Sequence, residues 1–167
     1  MTHEEERVQF LTALGEALDE WARVENHLCF VFMVCLRAPH RRATAAFFAV
    51  DSFRSKLTMV DSVFRLAGLD AAKTQEWKDL HERFKRKSTL RNQLAHYEVL
   101  EDTSARPGER FSLRPRILDP RSRSVFEAQG FRLSELRNIR LGFSELVHDT
   151  ARFYGELCNL LGMPSEF

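Results

Sequence analysis

The sequence predicts an all-α fold: an antiparallel bundle of four to five helices with a small loop or β-hairpin insertion before the last helix. Two observations carry this. Apolar residues recur at spacings of three and four over long stretches, the period of a helix with one buried face. The prolines and glycines concentrate between those stretches and in one segment, 101–132, that has no helical stripe. With 167 residues, 44% hydrophobic and 29% charged, the chain is long enough to bury a core without staples and reads as a single domain spanning 1–167, with an insertion at about 101–132.

The first helix is the longest. Leu11, Leu14, Leu18, Trp21, Leu28, Phe32 and Cys35 repeat by threes and fours, and nothing interrupts the run before Pro39. Position 25 completes the series and is Glu25. A carboxylate in an apolar seam is costly unless an Arg, a His or several N–H donors meet it. Residues 41–50 read as a short helix or turn with Ala46, Phe47 and Val50 on its apolar side. Asp51 or Ser52 can cap the next helix, whose stripe is Phe53, Leu57, Val60, Phe64 and Ala67, with Gly68 as its stop. Asp70 can cap the helix after that. Its seam starts apolar at Trp77, Leu80 and Phe84 and continues through Lys87, Arg91 and Leu94.

Phe111, Leu113 and Ile117, then Val125 and Phe126, flank Asp119-Pro120-Arg121-Ser122 and predict a ragged hairpin at an edge. The closing helix begins at Leu133 and Ser134. It carries Ile139, Phe143, Leu146, Thr150, Phe153, Leu157 and Leu160 inward, and ends at Gly162 and Pro164.

Composition narrows the function classes. No apolar run is long enough for a membrane helix, and the acidic start Met1 to Glu6 lacks the plan of a signal peptide. Cys29, Cys35 and Cys158 form no Cys-x-x-Cys pair, which suits a reducing cytosol and core packing. A cytoplasmic protein with no membrane partner is expected. No His, Cys, Asp or Glu set has metal-ligand spacing, and the seven glycines form no phosphate loop, so neither metal nor cofactor is expected. Charge is distributed unevenly. The window 83–123 holds 11 basic groups against five acidic ones and carries +6, while the rest of the chain carries −5. A basic middle in an acidic chain predicts an anionic partner, RNA first, with Lys85, Arg86, Lys87, Arg114 and Arg116 as backbone contacts.

The sharpest feature is Arg91-Asn92-Gln93-Leu94-Ala95-His96. Asn92 and His96 are four apart and share one helical stripe. Arg91 and His96 are five apart, about 140° round the helix, so they flank a groove and form no tight pair. A two-fold copy of the helix would bring two such pairs together.

These residues resemble the HEPN family, whose motif is an Arg, four to six residues, then a His, with a polar residue (commonly Asn) directly after the Arg. Arg91, Asn92 and His96 fit it. The long first helix with Trp21 to Leu28, the middle helix with Ser52 to Leu57 and the closing helix look like the family's bundle over roughly residues 8–162. Where HEPN toxins paired with a minimal nucleotidyltransferase antitoxin carry a Tyr two after the His, this chain has Glu98, with Tyr97 adjacent to His96.

The resemblance implies a homodimeric, metal-independent endoribonuclease in a prokaryotic toxin–antitoxin or phage-defence setting, with an antitoxin protein as a possible partner. The residue chemistry permits it, because RNA supplies its own nucleophile, the 2′-OH. His96 would move the proton, Arg91 would hold the phosphate, Asn92 would orient either, and Glu25 would position them from the first helix. The product would carry a 2′,3′-cyclic phosphate. A second reading keeps the helical scaffold without catalysis. Arg91 then neutralises Glu25, His96 caps a packed helix end, and the protein is a HEPN-like module binding RNA, nucleotide or a partner protein.

Overall fold

The computed structural model describes residues 2–115 and 130–164. They form five helices and one small hairpin: α1 (His3–Leu36), α2 (His40–Phe48), α3 (Phe53–Leu66), α4 (Ala71–His96), β1 (Glu98–Glu101), β2 (Phe111–Arg114) and α5 (Leu133–Leu161). This is the expected all-α architecture with a hairpin ahead of the last helix. No helix among the described residues is long and apolar enough to cross a membrane.

Local chemistry sets the helix ends. Thr2 and Glu5 form a reciprocal capping box at the start of α1: Thr2 Oγ1 accepts the Glu5 N–H at 3.2 Å, and the Thr2 N–H donates to Glu5 Oε2 at 2.8 Å. Ser52 accepts the Ser55 N–H at 3.0 Å ahead of α3, and Asp70 accepts the Lys73 N–H at 2.8 Å at the start of α4. Glu135 reaches back to the Arg132 N–H at 2.7 Å and opens α5. Of the two N-cap candidates for α3, Ser52 takes the position.

The chain packs as two compact units. One holds residues 1–21 and 89–143, the other 22–88 and 144–167. In the first unit the core is Phe10, Ala13, Ala17 and Trp21 with Leu94, Phe111, Leu113, Leu136, Ile139 and Phe143. Trp21 meets Phe143 edge-on at 5.1 Å, and Phe10 lies 6.2 Å from Phe111. The buried stripe at the start of α1 therefore departs from the leucine seam read from sequence. Leu11 is exposed, and Leu14 and Leu18 are half-buried. The smaller Ala13 and Ala17 face inward.

Phe111 and Leu113 lie on a strand as expected, and their partner strand among the described residues is one that sequence reading did not name. β1 pairs antiparallel with β2, Glu98 opposite Arg114 and Glu101 opposite Phe111. The pairing therefore uses the residues directly after α4. The reversal is built by Asp102, whose Oδ1 accepts from the Ser104 N–H and Oγ at 3.0 and 2.6 Å, and by Gly108 at φ +96°. Ile117, Val125 and Phe126, the other expected hairpin residues, lie outside the described residues. Leu113 also exchanges two backbone hydrogen bonds with Phe131, at 2.8 and 2.9 Å. Gly130 is required there, because a Cβ would stand 2.5 Å from Arg114 Cγ and 2.8 Å from the Leu113 carbonyl oxygen.

Glu6 ties this hairpin to α1. Its side chain is buried, Oε1 accepts the Arg110 N–H at 2.8 Å, and the Arg110 guanidinium stands 3.8 Å from Oε2. Burial alone would raise the carboxyl. The N–H groups of Gly108 and Arg110 and the Arg110 charge outweigh that and hold it below its ordinary range.

The second unit has the larger aromatic core. Phe64, Trp77, Phe84 and Phe153 cluster with ring centroids 5.1 to 6.3 Å apart. Each fully buried ring contributes about 1.5–3 kcal/mol. Trp77 Nε1 donates to Asp61 Oδ1 at 2.9 Å, so its polar edge is satisfied. Leu146, Thr150, Phe153 and Leu157 face inward as expected, but Leu160 in the last turn of α5 is exposed. Cys29, Cys35 and Cys158 are buried core residues, and burial pushes the Cys35 thiol up to about 12.

Candidate functional site

The Arg91–His96 motif occupies the last two turns of α4, in the first unit. Leu94 sets its orientation, because it is buried and anchors one face of the helix to the core. At about 100° per residue, Asn92 and His96 then stand about 160° from Leu94, and Arg91 and Tyr97 flank it at about 60°. Burial follows this geometry: Asn92 and His96 are exposed, Arg91 and Tyr97 half-buried. Core packing thus pushes the imidazole and the amide outward together.

Arg91 Nη1 donates to Asn92 Oδ1 at 3.3 Å, so these two adjacent polar groups are coupled. Tyr97 is fixed from two sides. Its backbone N–H donates to the Gln93 carbonyl at 2.9 Å, and its ring stacks on Phe131 at 6.0 Å, 20° between planes. Gln93 Nε2 reaches the Tyr97 hydroxyl at 3.3 Å. Tyr97 therefore closes the helix end as a packed residue, and His96 does not serve as a packed cap. Among the described residues the His96 side chain has no hydrogen bond and no ion pair. A single copy presents an imidazole and, round the helix, a guanidinium on separate stripes.

Glu25 belongs to the second unit. Its Oε2 accepts from Lys56 Nζ at 3.2 Å, the pair being 18% and 8% exposed respectively. Sequence reading called for an Arg, a His or several N–H donors beside this carboxylate; a lysine of α3 takes that place instead. Lys56 also stands over the rings of Phe47 and Phe48, 5.3 and 4.9 Å from their centroids. The signal for Lys56 was available, because it lies on the apolar side of α3 next to Leu57. Glu25 itself sits at the margin of the buried stripe, which passes through Trp21, Val24 and Leu28.

The basic residues fall into both units. Lys85, Arg86 and Lys87 lie on α4 in the second; Lys85 pairs with Glu82 at 2.9 Å, Arg86 is exposed and Lys87 half-buried. Arg114 is in the first unit, on β2, and its Nε donates to Ser112 Oγ at 3.2 Å. Arg116 lies outside the described residues. The first unit adds two cations that sequence reading passed over. Arg132 and Arg137 border an open depression of about 430 Å³ with Glu109 and Ser134, where the hairpin loop meets the start of α5. Arg132 is anchored there on the Glu109 carbonyl.

His27, beside Glu25 in sequence, is turned inward on its own helix. Its Nδ1 bonds the Arg23 carbonyl at 2.9 Å and its ring meets Phe30 edge-on. His148 is exposed, and His81 is half-buried against Trp77. Compared with known protein families, curated proteins and solved structures, the chain matches none.

Proposed function

We propose that the protein is a metal-independent endoribonuclease of the HEPN type, acting as a homodimer. The observation that carries this reading is the exposed, unengaged imidazole of His96, held outward by the burial of Leu94 on the same helix end as the Arg91–Asn92 pair. An imidazole with a structural role packs into a core or spends its nitrogens on neighbours, and His96 does neither among the described residues.

The chemistry needs few parts. The 2′-oxygen of one ribose attacks the adjacent phosphorus, and the bond from phosphorus to the 5′-oxygen breaks. One proton leaves the 2′-OH and one arrives at the departing 5′-oxygen. An imidazole serves either transfer at neutral pH, a contribution of about 10²–10⁴-fold. Arg91 donates a planar fork to the phosphate oxygens as their charge rises, with Asn92 steadying the guanidinium. Since Arg91 and His96 stand about 140° apart on one helix, a two-fold pairing of the α4 ends is the way to bring both to one phosphate. Lys85, Arg86, Lys87, Arg114 and Arg116 supply backbone contacts, so binding weakens with salt. Glu25 takes no step in this scheme, since Lys56 engages it. A toxin–antitoxin or phage-defence setting, with an antitoxin partner, belongs to the resemblance.

The test is cleavage of end-labelled RNA in EDTA by wild type, Arg91→Ala and His96→Ala, with folding checked by circular dichroism. Wild type should cleave and both folded variants should lose at least a hundredfold. Equal rates in the His96 variant would overturn the reading.

A further inference from the structure

A second cationic site stands at the corner between α1 and α2, wholly within the second unit and outside the basic window that the sequence singles out. Arg37, His40, Arg41 and Arg42 fall within six residues, and all four are exposed. No acidic residue occurs from position 26 to position 50. Among the described residues the side chains of Arg37, Arg41 and Arg42 have no hydrogen bond and no ion pair. Three guanidinium groups thus stand at one corner of the chain, and no side chain among the described residues neutralises them.

Their placement works against stability. His40, Arg41 and Arg42 form the first turn of α2, which has no acidic residue and no side-chain cap. The macrodipole disfavours cations at that end. Arg37 adopts φ +51°, the one positive φ outside glycine among the described residues. It ends α1 in a Schellman turn: its N–H bonds the Val34 carbonyl at 3.2 Å, and the Ala38 N–H bonds the Met33 carbonyl at 3.4 Å. The end of α5 makes the same turn through Gly162 at φ +65°, with the Met163 N–H on the Cys158 carbonyl at 2.9 Å. One turn therefore uses the residue that fits, and its counterpart uses an arginine.

Both turns border the same cavity. It measures about 180 Å³, with Met33, Pro39, Tyr154 and Met163 in its wall and Arg37 and His40 beside them. A cavity of about 150 Å³ holds one benzene ring, so this one fits a single flat ring. Methionine sulfur and an aromatic wall favour a π-face, and the free guanidinium forks match phosphate oxygens.

We infer that this corner binds a nucleotide unit, its base in the cavity and its phosphate on Arg37, Arg41 and Arg42. The unit comes either from a single RNA strand or from a free nucleotide. The inference does not depend on cleavage at His96: the RNA probe cannot be cleaved by 2′-OH attack, and binding is compared in protein carrying Lys85→Ala, Arg86→Ala and Lys87→Ala, so that contacts along α4 do not mask this corner.

The test measures fluorescence anisotropy of a labelled 2′-O-methyl RNA dodecamer, with competition by AMP, by inorganic polyphosphate and by phosphatidylserine vesicles. Arg37→Gly fits the left-handed slot, so it should keep or raise the melting temperature while weakening RNA binding at least tenfold. The triple change Arg37→Gly, Arg41→Ala and Arg42→Ala should also flatten the log–log salt slope by about 0.7, the loss of one neutralised phosphate on a single strand. Met163→Trp fills the cavity and should weaken the dodecamer but not polyphosphate. Effective competition by AMP would assign the site to a free nucleotide, and weak competition to a unit within a strand; either supports the inference. Unchanged RNA binding in the triple variant, equal response of RNA and polyphosphate to Met163→Trp, or preference for the vesicles would overturn it.

Discussion

Glu6→Ala probes the joint between α1 and the hairpin, and its cost can be worked from the structure. The side chain is 2% exposed and Oε1 accepts the Arg110 N–H at 2.8 Å. Truncation leaves the Arg110 N–H without its acceptor, at about 1–3 kcal/mol for a buried donor, while Gly108 is exposed and its N–H can turn to water. It also removes the carboxylate beside the Arg110 guanidinium. One contribution runs the other way, since Oε2 is buried with no hydrogen-bond partner among the described residues and its loss relieves that penalty. A net destabilisation of about 2 kcal/mol follows. At about 2–4 °C per kcal/mol for a chain of this size, the melting temperature falls by about 4–8 °C.

The pH dependence provides a sharper check. The folded carboxyl lies below its ordinary value of 4.5. The stability it contributes is therefore complete above that value and is lost as pH falls through the lower folded-state value. Urea titrations at pH 7 and at pH 4 should show the gap between wild type and Glu6→Ala narrowing on acidification. Glu6→Gln keeps an acceptor and should cost about half as much at pH 7, with the same narrowing on acidification, because the group that titrates is the wild type's. A gap below about 0.5 kcal/mol at pH 7, or one equal at both pH values, would refute the reasoning.

Three further outcomes are expected. Lys56→Met leaves Glu25 without its lysine and should cost about 2–3 kcal/mol in urea denaturation, less than a fully buried pair because Glu25 is 18% exposed; adding Glu25→Leu should recover most of it. Gly130→Ala places a Cβ within 2.8 Å of the Leu113 carbonyl oxygen and should cost about 1–3 kcal/mol, read by thermal denaturation. Arg91→Ala and His96→Ala are each expected to be inactive alone; mixing them so that subunits exchange should restore part of the cleavage, since one shared site then keeps an Arg91 from one copy and a His96 from the other. Two inactive variants that stay inactive when mixed would rule out the shared site.

The sequence made the helices legible because its punctuation is strong. Pro39, Ser52, Gly68, Asp70 and Gly162 all stand at or beside helix ends. It also placed the motif on the helix that carries it. The buried face at the start of α1 was harder to read. The seams through Leu11, Leu14 and Leu18 and through Phe10, Ala13 and Ala17 share the same period and meet at Trp21. Size alone favours the leucines, but packing buries the alanines. The same offset of one residue moves Glu25 from the centre of the stripe to its margin.

The first strand of the hairpin eluded pattern reading because β1 is Glu98-Val99-Leu100-Glu101, with its residues exposed or half-buried, so no alternation of apolar and polar residues marks it. Its partner β2 supplies the burial, with Phe111, Ser112 and Leu113 all covered. In the site, the residue types and their helical angles were legible. The outward direction of His96 was not, because it depends on Leu94 being the residue that the core takes.

The central claim, cleavage by 2′-OH attack, is tested most directly by the chemistry of the cut ends. Wild-type protein is incubated in EDTA with a labelled RNA, and the 3′ termini of the fragments are identified by mass spectrometry. The account predicts 2′,3′-cyclic phosphate ends, formed by wild type and not by His96→Ala. Fragments ending in a 3′-hydroxyl, the mark of water attacking the phosphate, would contradict it.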